Sequence, residues 1–383
     1  MAARRRRRVP LAFRQGPSDV VAGTPTLERA AGAGAPGLPD PFSDSLPPPP
    51  PVPPEDEGSS RRISEVRARV GPSHAITNGE TTMVRSSLDA LGSARPSAEP
   101  QDPCERLLYE LAASGPEGTE AWEAPLFRRA DAMLPLLAEV FPGPLWFDRD
   151  RPYRGLPGGD VIGPVPRALV LLGERSRPWV ARLLADPREH VRFYACLVAA
   201  SLAHPELLDP LAHALLGRDA KVRLAAQHAV RCYGRAPEAM QLLAALRVLA
   251  VSEGRRSVWR LRAIEALGAL GDPAAPDALV ELLAHGDRAI ARAAHAALRQ
   301  VTAHDLGTLR QPWRRWLRNQ RGRPRASWLV AALVDRRPEL REHALGELER
   351  LARLGVTVAP DAAPRAWAEA QARYAVWLAK RLG

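Results

Sequence analysis

Between Trp259 and Val301 the chain reads WRLRAIEALGALGDPAAPDALVELLAHGDRAIARAAHAALRQV, and this stretch decides the fold. With Trp259 as position zero, Ala263, Leu267 and Leu270 fall at plus four, plus eight and plus eleven, on one face of a helix. Gly271, Asp272 and Pro273 break that helix, and Gly286 and Asp287 make a second, tighter turn. Ile290 then restarts the count, with Ala294, Leu298 and Val301 at the same offsets, 31 residues after Trp259. A repeating two-helix unit cannot bury its apolar stripe alone and must stack on its neighbours. The spacing therefore predicts an all-α array with no sheet.

Working outward, the count recurs at Val191 (Ala195, Ala199, Leu202), at Val222 (Ala226, Val230, Tyr233) and at Leu340 (Ala344, Leu348, Leu351). The five zero positions lie 31, 37, 31 and 50 residues apart, so the last interval holds an insertion. Alanine stands at plus four in every copy, which predicts close approach between neighbouring helices; a larger side chain there should overpack by about 1–3 kcal/mol. Arginine follows position zero in four copies, as Arg192, Arg223, Arg260 and Arg341, with Ala291 as the exception.

Val-Arg with alanine four on, apolar residues at plus eight and plus eleven, and a Gly-Asp-Pro break resembles the HEAT repeat family, including short bacterial forms such as those of phycobilin lyases. The resemblance covers about residues 164–353. It implies a right-handed α-α superhelix, a HEAT-like α-solenoid. The family spans scaffolds, transport receptors, lyase subunits and DNA repair enzymes, so it implies no single activity. It also implies a structural role for the arginine after position zero, paired with an acid such as Asp186, Asp219 or Asp287.

Before the array, residues 1–101 read as a disordered Arg/Pro-rich tail. They open on Arg4 to Arg8 and carry PPPPPVPP from Pro47 to Pro54, a polyproline spacer. Arg61 and Arg62 ahead of Ser64 make that serine a candidate phosphosite. Residues 102–163 hold degenerate helices: one from Leu107, Leu108 and Leu111, and another over roughly Trp122 to Val140 with Pro125 and Pro135 at ends or kinks. A Gly-, Pro- and aromatic-rich loop follows from Phe141 to Gly163, and its Trp146, Phe147 and Tyr153 are expected to plug against the first helices or to bind a ligand. The insertion at 305–325 sets seven arginines against the single acid Asp305 and places Trp313 and Trp316 on one helical face. In residues 354–383, Trp367, Ala370, Tyr374, Trp377 and Leu378 form the stripe of a capping helix.

The net charge is +11 and almost wholly arginine, since Lys221 and Lys380 are the only lysines; this fits either the codon bias of a GC-rich genome or a phosphate-bearing partner. Cys104, Cys196 and Cys232 are far apart, as in a reducing cytosol, and no apolar run approaches the ~18 residues of a membrane span. A cytoplasmic protein is expected. The nine histidines form no H-E-x-x-H motif, and there is no G-x-S-x-G or Walker A loop. No catalytic, cofactor-binding or metal-ligating residue is assigned. The expected function is a non-enzymatic scaffold or adaptor for a protein partner. One alternative is nucleic-acid binding, with Arg192, Arg223, Arg260, Arg314, Arg315 and Arg318 on phosphates and Trp313 and Trp316 stacking on bases. The other is a lyase-like or DNA-repair-like enzyme subunit.

Overall fold

The computed structural model describes residues 102–116, 120–153 and 155–382; the tail and Ser64 lie outside the described residues. All regular structure among the described residues is helical. The first helix, α1 (Pro103–Ala113), starts on Asp102, whose carboxylate accepts from the Cys104 backbone N–H at 2.8 Å, and has proline in its first turn. Where the sequence predicts one long helix, the chain forms α2 (Glu120–Arg128) and α3 (Ala130–Val140) with a break at Arg129. Pro125 and Pro135 lie inside these two helices rather than at their ends.

The paired helices begin with α4 (Pro164–Leu171), α5 (Arg177–Leu184) and α6 (Glu189–Leu202). They continue through α7 (Leu208–Leu215), α8 (Ala220–Cys232), α9 (Pro237–Val251), α10 (Ser257–Leu270), α11 (Pro276–Leu282) and α12 (Arg288–Thr302). The insertion contributes α13 (Arg310–Gln320), and the chain ends with α14 (Arg325–Ala332), α15 (Pro338–Ala352) and α16 (Pro364–Leu382). Each copy is thus a first helix, α5, α7, α9, α11 or α14, packed on the second helix that carries position zero. Second helices also pack on one another, α6 on α8 and α10 on α12.

The predicted stripe is the core. Ala195, Ala226, Ala263, Ala294 and Ala344 are all fully buried, as are Val191, Ile290, Leu267, Leu298 and Leu348. Position plus eleven departs from the pattern: Val301 is buried but Leu351 is 49% exposed. Among the described residues no further copy covers Leu351, and α16 lies mainly against α14. There Trp367, Ala370 and Tyr374 join Leu329, Leu333 and Leu348 in an apolar cluster of their own.

The contact between α10 and α12 is close enough to require glycine at one point. A Cβ on Gly268 would lie 2.8 Å from the Ala297 Cα, which is backbone and cannot rotate away. Gly→Ala within a helix ordinarily gains up to about 1 kcal/mol of propensity. Here G268A is expected to reverse that sign and destabilise by about 1–3 kcal/mol, read as a lower urea midpoint. A stabilised G268A would show that the two helices have room to spare.

Candidate interaction surface

The arginine after position zero has the same geometry in three copies. Arg192 donates from Nη1 to the carbonyls of Asp186 and Pro187 at 2.6 and 2.8 Å; Arg223 does so to Gly217 and Arg218 at 3.2 and 2.8 Å. Arg341 repeats it on Asp335 and Arg336 at 3.0 and 3.3 Å, and its guanidinium lies 4.9 Å over the Trp367 ring. Each guanidinium therefore closes the turn between the two helices of its own copy, taking up carbonyls near the C-terminal end of the first helix. Arg260 is buried and donates instead to the Ala250 carbonyl of α9 at 3.1 Å.

The acids implied by the family resemblance are occupied elsewhere. Asp219 and Asp287 cap α8 and α12, accepting from the backbone N–H of Val222 and Ala289 at 2.7 Å each, and Asp219 also holds Arg149 at 3.1 Å. Asp186 accepts from the backbone and side chain of Arg188, and Asp335 repeats this with Arg337. Burial works against both carboxylates, but these bonds hold Asp186 and Asp335 below the usual carboxylate range. Among the described residues, the carboxylates that pair with Arg192 and Arg223 are those of Glu189 and Glu265, at 3.9 and 4.0 Å. Backbone N–H groups two or three residues away reach the aspartates first, which is why the arginines fall back on carbonyls.

The loop from Phe141 to Gly163 makes its polar contacts with α6 and α8 rather than with the first helices. Tyr194 of α6 accepts from the Arg149 backbone N–H and donates to the Phe147 carbonyl, both at 3.1 Å. Gly159 packs directly on the Val198 backbone, where a Cβ would come within 2.6 Å of Cα. Phe147 and Tyr153 meet in a tilted contact with ring centroids 5.4 Å apart.

The insertion helix α13 divides into two faces. Trp313 is fully buried and donates from its indole N–H to the Gly307 carbonyl at 2.7 Å. Trp316 is partly buried between Trp313, His304 and Trp328, with ring centroids 6.3, 4.9 and 5.3 Å away. The apolar face of α13 is thus spent on packing. On the outer face, Arg314 and Arg310 both hold Glu281 of α11, at 2.7 and 3.2 Å. Hydrogen bonds from Arg314, and then the charges of both arginines, keep the Glu281 carboxyl below its usual range. Arg315, Arg318, Arg321 and Arg323 are exposed, and their side chains meet no partner among the described residues. They form an uncompensated cationic edge at the end of α13.

A second cationic cluster escaped the sequence. Glu347, on α15, is 5% exposed and is contacted by Arg231, Arg325 and Arg350. A signal for it was present: at plus three and plus seven the stripe reads Ala225 and Ala229, or Ala293 and Ala297, but His343 and Glu347 in the fifth copy. Among the described residues no group of three or more His, Cys, Asp and Glu side chains could hold a metal ion, and no helix is long and apolar enough to cross a membrane.

Comparison with known proteins gives one family and several solved structures. The family described as PBS lyase HEAT-like repeat matches residues 259–285, the segment from α10 into the turn after α11. An engineered protein solved by a structural genomics consortium is 16% identical, covering 78% of this chain and 75% of its own, with a TM-score of 0.30. A designed armadillo repeat protein in complex with the peptide (KR)4 is also 16% identical, covering 62% of this chain and 99% of its own, with a TM-score of 0.24. No curated protein sequence matches the chain. The match at 259–285 falls within the five in-register copies and the all-helical stacking already described, and the array is of the HEAT-like helical-repeat kind.

Proposed function

We propose that the protein is a non-enzymatic scaffold that binds an acidic segment of a protein partner. The observation that carries this reading is the edge formed by Arg315, Arg318, Arg321 and Arg323, four exposed guanidinium groups with no acid against them among the described residues. Arg310 and Arg314 beside them already hold Glu281, so carboxylates are ligands this helix accepts. Repeat arrays commonly use such extended surfaces for partner binding. The Arg/Pro-rich tail supports tethering, with Ser64 as its candidate phosphosite.

Nucleic acid is the second reading, favoured by the same four arginines, since phosphates need little more than guanidinium groups. Two observations weigh against it. Trp313 is fully buried and Trp316 packs between two other indoles, so neither offers a free face for a base. Arg192, Arg223 and Arg341 are committed to carbonyls, which leaves no row of free guanidinium groups along the second helices.

The test is partner capture by the full chain, by the chain lacking residues 1–101, and by a variant with Arg315, Arg318, Arg321 and Arg323 changed to glutamate. A protein partner retained by the first and lost from the glutamate variant supports the scaffold. Single- and double-stranded DNA are titrated in parallel. Micromolar DNA binding that weakens steeply between about 50 and 200 mM salt, with a slope that flattens in the variant, replaces the scaffold by the nucleic-acid reading.

A further inference from the structure

Arginines from the second and fifth copies converge on one carboxylate, and the third and fourth copies supply carbonyls around it. Arg325, at the start of α14, donates to Glu347 at 2.9 Å, to the Val301 carbonyl at 2.7 Å and to the Gln300 carbonyl at 3.2 Å. Arg231, in the last turn of α8, reaches Glu347 at 3.5 Å and also donates to the Ala269 carbonyl of α10. Arg350, three residues beyond Glu347 on α15, pairs with the same carboxylate. His343, one turn before Glu347, bonds the Gln300 carbonyl at 2.7 Å.

The seat of Arg325 is built for it. Gly271 closes α10 at φ +67°, and a Cβ there would come within 2.6 Å of the Arg325 guanidinium carbon. The Arg325 side chain is only 12% exposed, whereas those of Arg231 and Arg350 are 32% and 52% exposed. The cluster thus has a closed floor and an open mouth.

Its charges do not balance. Three guanidinium groups face one carboxylate, and the carbonyl ends of α10 and α12 supply at most about half a negative charge each. Asp272, close enough for its field to reach Arg325, is already paired with Arg247 at 2.5 Å. Roughly one to two positive charges are left over in a partly desolvated site, where uncompensated charge is costly. The titrating groups register this. Burial, and then the fields of Arg231 and Arg325, pull Arg350 down to about 10. Burial first, and then Arg325, Arg350 and Arg231, hold the His343 imidazole below its ordinary value against its bond to Gln300.

We propose that Arg231, Arg325 and Arg350 form a binding site for a phosphate dianion, either inorganic phosphate or a phosphate monoester, seated at the mouth of the cluster beside Glu347. Phosphate at pH 7 carries about −1.5 to −2 charges, which matches the excess. It also presents several acceptor oxygens to the forked donors that Arg231 and Arg350 still turn toward solvent. A monocarboxylate would leave part of the charge unmatched. The site uses none of the four arginines of the α13 edge and stands whether or not that edge binds a partner.

The test is calorimetric titration of the full chain with inorganic phosphate and, separately, with O-phosphoserine, at ionic strength fixed with KCl. One saturable site is expected, with thermal stabilisation that KCl alone does not reproduce. R350Q and R231Q, each checked for helicity by circular dichroism, should weaken binding about tenfold or more. R350K, which keeps the charge and loses the fork, should fall in between. E347Q removes the competing charge at constant shape and should tighten binding. Equal affinity for the two probes identifies free phosphate as the ligand, and tighter O-phosphoserine binding identifies a monoester; both support the site. No binding of either probe at about 10 mM, affinity unchanged in both R350Q and R231Q, or weaker binding by a folded E347Q would overturn the proposal.

Discussion

W313A is expected to cost about 3–5 kcal/mol, the range for removing a large aromatic side chain from a core. Trp313 is fully buried on α13, donates to the Gly307 carbonyl at 2.7 Å, and meets Trp316 edge-on at 6.3 Å. Its removal leaves a cavity under the packed face of α13, and Trp316 loses the ring it meets edge-on. Collapse into that space is limited, because Arg310 and Arg314 pin the outer face to Glu281. W313F separates the two contributions. It keeps most of the ring and loses the indole donor, so it should cost nearer 1–2 kcal/mol. Urea denaturation followed by helical circular dichroism reads both. A W313A protein as stable as the parent would mean that α13 is not part of the cooperative core, and the division of that helix into a packed and an outer face would then be wrong.

D272A should be the second large effect, at about 3 kcal/mol. Asp272 sits in the Gly-Asp-Pro break and is fully buried, accepting from Arg247 at 2.5 Å and from the Ala274 backbone N–H at 3.0 Å. Losing one partner of a buried ion pair typically costs about 3–5 kcal/mol, mostly from the charge left behind. Arg247 is one quarter exposed and can turn to water, which places the expectation at the lower end. D272N retains the bond to Ala274 and should cost about 1–2 kcal/mol. If the two variants melt together, the lost charge accounts for the whole effect, and the shape of Asp272 and its bond to Ala274 contribute nothing beyond it. The measurement is the shift in Tm of the full chain.

Those two residues mark where the sequence was legible and where it was not. The helical count from Trp259 located every second helix of the array, and the five alanines at plus four are buried without exception. Such positions are readable because their neighbours lie within one repeat, so the local period carries the information. The Gly-Asp-Pro break was readable as a stop, but the burial of its aspartate was not, since Arg247 lies 25 residues away on α9. The arginines after position zero were legible as structural residues. Their partners were misassigned, because an aspartate beside a helix start is claimed by backbone N–H groups before a side chain can reach it. The Phe141–Gly163 loop and the Glu347 cluster depend on contacts 22 to 116 residues apart, which no periodicity encodes.

The bond from Arg231 to Glu347 has a consequence for how the molecule comes together. In a repeat array whose units touch only their neighbours, stability is a sum of adjacent terms, and units can be removed from an end one at a time. Here the second copy holds the fifth directly, across 116 residues of chain. Closing that loop carries an entropy cost that only the assembled array repays. The last copy therefore acts as a latch: while α15 is absent, Arg231 and Arg325 lack the carboxylate they share, and the intervening copies bear the cost of their charge. Shortening the chain from its C-terminal end should accordingly weaken it in one large step rather than in equal decrements.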